Sequence, residues 1–118
     1  MSMNNKQVLT LIEYLVEKTN QNKCLWEYGN NEYRLVLKSG VIVFKYSYMY
    51  DSSLDQFSFS LSLYNTVEKF ASYYSDAEEN YDEDLYKAMD VLRVSIQQWK
   101  ERIIDGKMNL LIDEIKQF

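Results

Sequence analysis

The stretch Phe57-Ser58-Phe59-Ser60-Leu61-Ser62-Leu63-Tyr64 alternates large apolar residues with small polar ones without a break. Successive side chains of a strand point to opposite faces, so a strict period of two buries one face and leaves the other wet. On a helix the same residues would wrap around the whole cylinder and bury nothing consistently. The chain must therefore contain a sheet with one face against a core, and another apolar layer has to cover that face.

Helical periodicity supplies the cover. Over about 5–19, Val8, Leu11, Ile12, Leu15 and Val16 recur at helical spacing, with Glu13, Glu17 and Lys18 elsewhere on the helix. The asparagine-rich break at 20–23 ends it, because Asn competes for backbone hydrogen bonds and accepts turn conformations. In the last third, Leu85, Met89, Leu92, Ile96, Trp99 and Ile103 recur in steps of four and three. Gly106 is read as the stop of this helix. A shorter terminal helix over about 109–117, with Leu111, Ile112, Ile115 and Phe118, is expected to pack on the sheet too.

Between the helices the period is two. Strands are predicted over 24–28, 33–38, 41–48 and 57–64, with turns at Gly29-Asn30-Asn31 and Ser39-Gly40 and a polar loop around Asp51-Ser52-Ser53. In the third, Ile42, Phe44, Tyr46 and Tyr48 share a face. Residues 69–74 read as a fifth strand after a turn at Asn65-Thr66, although Val67, Phe70, Ala71 and Tyr74 also fit helical spacing; the pair Tyr73-Tyr74 tips the reading to strand. Connections this short join antiparallel neighbours. The expectation is one α+β domain over 1–118: a helix, an antiparallel meander of four or five strands, then a long and a short helix on one sheet face.

Composition narrows the chemistry. The chain has no histidine and one cysteine, Cys24. Histidine-dependent nucleophile systems, CxxC centres, the commonest zinc sites and disulfide scaffolds are all excluded. Beside Leu25 and Trp26, Cys24 reads as a small buried hydrophobe. Gly29, Gly40 and Gly106 are too dispersed to cradle a phosphate. No carboxylate pair stands in an apolar setting as acid and base. No enzyme, cofactor or metal site is expected. With neither a leader nor a membrane-length apolar run, the expected location is the cytoplasm. A net charge of −5 disfavours general nucleic-acid binding.

Two features remain as contact candidates. The stretch 76–84 holds six carboxylates, and Asp76, Glu78, Glu79, Asp82 and Glu83 are its candidate partner-binding residues. A solvated loop leading into a helix N-terminus explains such acids without a partner; a basic partner protein explains them with one. Tyrosine is the other, with 11 in the chain. Tyr46, Tyr48 and Tyr50 fall on one side of an extended strand, and Tyr64 on the wet face of the next. Tyrosine suits pleated sheets, and it is also enriched at binding hot spots. The function expected is a non-enzymatic protein-interaction or accessory module. An immunity or inhibitor protein against a basic partner and a small-ligand binder with an aromatic pocket are the alternatives, and homodimerisation stays open, through a free sheet edge or along the long helix. The spacing of that helix is that of a coiled-coil seam over about three heptads, although a core helix is the better reading.

The run LWEYGNNEYRLVLKSGVIVF, followed by FSFSLSLYN and a terminal NLLIDEI, resembles small uncharacterised α+β proteins of bacteria and their phages or mobile elements. In these a tryptophan-bearing strand precedes a Tyr-x-Leu-x-Leu-x-x-Gly strand and hairpin, here Tyr33, Leu35, Leu37 and Gly40. The likeness covers about 25–115 and rests on apolar pattern and turn positions. It implies a small accessory protein and brings no catalytic residues with it.

Overall fold

The computed structural model describes residues 5–49 and 56–118; Tyr50 and the loop around Asp51-Ser52-Ser53 lie outside them. The order is α1 (Asn5–Asn20), β1 (Glu27–Gly29), β2 (Glu32–Leu37), β3 (Gly40–Tyr48), β4 (Phe57–Tyr64), β5 (Lys69–Ser75) and α2 (Glu83–Lys116). The strands form one antiparallel sheet in sequence order, β1-β2-β3-β4-β5. The chain is an α+β protein, with α2 packed on one face of the sheet and α1 packed against α2.

Local chemistry sets each boundary. α1 ends in a left-handed residue, Asn22 at φ 60°, while the Lys23 and Asn22 amides donate back to the Lys18 and Thr19 carbonyls at 2.8 and 3.0 Å. That pair of bonds satisfies carbonyls the helix end would otherwise strand. The β1–β2 hairpin turns on Asn30 and Asn31, both at positive φ, as the twist-matched two-residue turn requires. Between β4 and β5, the Asn65 carboxamide oxygen accepts the Val67 and Glu68 amides, each at 2.8 Å. The preference for strand over helix at 69–74 is what the structure has.

The pleat sorts the side chains as the alternation demands. Phe57, Phe59, Leu61 and Leu63 of β4 meet Ile42 and Phe44 of β3 and Tyr33 and Leu35 of β2 in one buried cluster. Val8, Ile12 and Leu15 of α1 and Leu85, Met89, Leu92, Ile96 and Trp99 of α2 close it from above. Phe44 and Phe59 stack with centroids 6.0 Å apart.

Two expectations are corrected. The first strand is shorter and later than 24–28, because its register with β2 covers only Glu27↔Arg34, Tyr28↔Tyr33 and Gly29↔Glu32. Cys24 and Trp26 reach the core from the segment before it. Nor is there a separate terminal helix: α2 runs through Gly106 without interruption. A glycine stops a helix by taking the left-handed conformation, and no glycine among the described residues has positive φ. Within a helix it costs only about 1 kcal/mol against alanine, which flanking Arg, Lys, Met and Leu residues offset. The segment 109–117 is therefore more of α2, and it does not pack on the sheet.

Candidate interaction surface

The acidic stretch is engaged within the fold at two of its carboxylates, Asp76 and Asp82. Asp76 is buried, and its carboxylate accepts the Glu78 amide at 2.9 Å, the Asn80 amide at 3.0 Å and the Tyr74 hydroxyl at 3.1 Å. Those donors, the Glu78 amide foremost, hold its pKa below the usual carboxylate value. Asp82 caps α2: one carboxylate oxygen accepts the Leu85 amide at 3.3 Å and the other the Asn5 side-chain amide at 2.6 Å, pinning α1 to the start of α2. Glu83 lies one turn from Lys87, with 2.7 Å between their charged atoms, and its pKa is lowered by that contact. Glu78 and Glu79 are exposed.

The tyrosines divide in the same way. Tyr46 sits at the edge of the core, its ring parallel to that of Tyr33 at 5.9 Å and its hydroxyl bonded to the Tyr33 hydroxyl and the Gln97 carboxamide. Burial, aided by the Tyr33 hydroxyl, pushes its pKa up to about 12. Tyr48 is exposed, one side of its ring resting on Phe57 at 4.6 Å. Tyr64 stands on the opposite, wet face with the Lys69 ammonium 5.8 Å from its ring. The structure thus separates the three predicted tyrosines into a core edge, a rim and the far face.

That far face carries Ser60 and Ser62 of β4 and Ser72 of β5, bordered by Arg34, Lys45, Tyr64 and Lys69. Small hydroxyl residues between longer cationic ones leave an open depression of about 620 Å³. Its lining is mostly polar. On the inner face, by contrast, the rings of Phe44, Tyr46, Phe57 and Phe59 occupy one another's space.

An uncovered apolar surface on the end of α2 is one the sequence pattern hid. Ile103 is the last residue of α2 packed against the core, and the Arg102 guanidinium closes the body there by donating to the Thr19 carbonyl at 3.2 Å and to Asn22 at 3.0 Å. Beyond it the helix projects for about 20 Å at 1.5 Å per residue. The radius of gyration reflects this, at 16.5 Å against about 13.5 Å for a compact chain of this length. Along the tail Ile104, Met108, Leu111, Ile112 and Ile115 are all exposed, Leu111 at 57% and Ile115 at 63%. The signal was present in the spacing. Core residues of α2 follow 85, 89, 92, 96, 99 and 103, a series that continues at 106, 110, 113 and 117; the apolar residues of the tail instead follow 104, 108, 111, 115 and 118, the same alternation of four and three restarted out of phase at 104. That break in phase turns the apolar seam by about 100° away from the sheet.

Among the described residues no helix is long and apolar enough to cross a membrane. No family model matches the chain, and no curated protein or solved structure matches it.

Proposed function

We propose that this protein is a non-enzymatic protein-interaction module whose docking element is the projecting end of α2. The observation that carries the reading is the uncovered seam of Ile104, Met108, Leu111 and Ile115 on a helix extending past its own domain. Contiguous exposed apolar surface on a soluble domain marks a contact site, and an amphipathic helix is a common vehicle for one. The acidic residues support an inhibitor-type reading less well, since Asp76 and Asp82 are engaged within the fold and only Glu78 and Glu79 among the unpaired candidates face outward. A small-ligand reading has open depressions to draw on, the polar one of the outer sheet face and a smaller apolar one between Ile12, Val16, Ala88 and Val91, and neither is an aromatic enclosure.

The test is capture by the immobilised full chain from a lysate of its own host, read by mass spectrometry. Leu111→Glu and Ile115→Glu are expected to abolish retention of the specific partner while leaving the circular dichroism of the body unchanged. Retention that survives both substitutions but is lost in Glu78→Gln/Glu79→Gln would replace the tail with the acidic edge as the docking site.

A further inference from the structure

Resting on that reading, we propose that the partner of the tail is the same segment of a second copy of this chain, laid antiparallel across a two-fold axis. The seam has the steps of a coiled-coil interface, four and three, with Ile104 and Leu111 in one class of position and Met108 and Ile115 in the other. Antiparallel pairing brings unlike classes together. Ile104 then meets the partner's Ile115 and Met108 meets the partner's Leu111, and the axis repeats both layers, giving four without a polar interruption.

The flanking charges select this arrangement. Lys107 precedes Met108 and Glu114 precedes Ile115, so both stand on the same side of the seam, seven residues apart and opposite in sign. In the antiparallel register Lys107 lies beside the partner's Glu114, and the two-fold makes that pair twice, as a self-complementary patch requires. Parallel pairing would place Lys107 against the partner's Ile112 and leave Glu114 facing the chain end, with no charge matched there. Antiparallel helices also oppose their dipoles. Each tail leaves its body at Ile103, so the two folded bodies come to lie at opposite ends of the pair. Two tails of about 20 Å form a contact at the small end of specific interfaces, below about 1,200 Å². The dimer is therefore one that exchanges and depends on chain concentration.

The test is sedimentation velocity of the full chain over a wide concentration range, expected to show a shift from the 14.1 kDa monomer to twice that mass. Lys107→Glu alone and Glu114→Lys alone are each expected to weaken association roughly ten-fold, because both symmetric pairs become repulsive. The double variant K107E/E114K should restore it. As an orientation check, a mixture of Ile104→Cys and Ile115→Cys chains should cross-link on oxidation, and Ile104→Cys alone should not; native Cys24 is buried and stays out of the reaction. A chain monomeric at every concentration would overturn self-pairing while leaving the tail as a docking site for a different protein, which the capture experiment reads separately. Failure of the double swap to rescue, or cross-linking of Ile104→Cys with itself, would overturn the antiparallel arrangement.

Discussion

The two tryptophans offer a matched comparison of what a buried indole costs when its N–H is and is not satisfied. Trp26 and Trp99 are buried alike, at 4% and 3% exposure. The Trp26 indole nitrogen donates to the Thr19 hydroxyl at 3.0 Å, inside the core. Among the described residues the Trp99 indole nitrogen has no acceptor, and its ring meets that of Tyr28 nearly perpendicular at 6.2 Å. Replacing either tryptophan by phenylalanine removes the same atoms from an equally buried place, so the transfer and cavity contributions largely cancel between the two variants. What differs is the hydrogen bond. Trp26→Phe loses a net bond of about 1 kcal/mol and leaves a buried hydroxyl short of a donor, while Trp99→Phe removes a donor whose burial costs about 1–3 kcal/mol. The Thr19 hydroxyl keeps the Cys24 thiol as a second neighbour, which places the expected difference near about 2 kcal/mol. Urea unfolding at one low chain concentration, followed by the fluorescence of the remaining tryptophan, reads it directly. With equal slopes, Trp26→Phe should unfold on the order of 1 M urea earlier than Trp99→Phe. Equal midpoints, or a lower one for Trp99→Phe, would refute the reasoning, since the Trp99 N–H would then have an acceptor of its own.

Three further outcomes follow from single sites. Gly40→Ala should destabilise by about 1–3 kcal/mol or more in a thermal melt, because a β-carbon there runs into the Tyr64 carbonyl across the β3–β4 pairing. Gly106→Ala should raise helicity by circular dichroism and stabilise the tail by about 0.5–1 kcal/mol, since the position is helical and a β-carbon meets nothing within 4 Å; a loss of helicity would show that the glycine is needed as a bend. Asp76 has its folded pKa depressed below the usual carboxylate value, so its contribution is present above that ordinary value and is lost as pH falls through the lower folded one. Asp76→Asn should accordingly flatten the acid limb of the stability–pH curve relative to the native chain.

Most of the fold was legible because local and tertiary preferences agree. The alternation of 57–64 and the steps from Leu85 to Ile103 each report the same core from opposite sides, and the structure brings the two together in one cluster. The turns were readable through asparagine, whose tolerance of positive φ is used at Asn22, Asn30 and Asn31. Gly106 misled because glycine's meaning depends on its φ, which sequence does not state. Trp26 misled only as to its element: it is the core anchor its type suggests, but it stands ahead of the ladder and not within a strand. The proposed contact surface was the least legible part. Apolar periodicity marks a face that is covered, without saying whether the cover lies in the same chain, so Leu111, Ile112 and Ile115 read as core.

The acidic stretch and the tail make opposite cases about what a conspicuous pattern means. A cluster of carboxylates invites a basic partner, yet two of these acids complete the β5–α2 connection, with Asp76 organising the turn and Asp82 the first turn of the helix. Donors already in place meet the hydrogen-bonding capacity that makes them conspicuous. The tail is the reverse. Its residues look like ordinary core, but the break in phase after Ile103 turns them away from the core of the body. A solvent-facing helix gains nothing from Ile104, Met108, Leu111 and Ile115 on one stripe, since polar helix formers would hold the same backbone without the exposed area. The uncovered stripe is therefore the feature that the fold alone does not account for, and a second helix laid along it would.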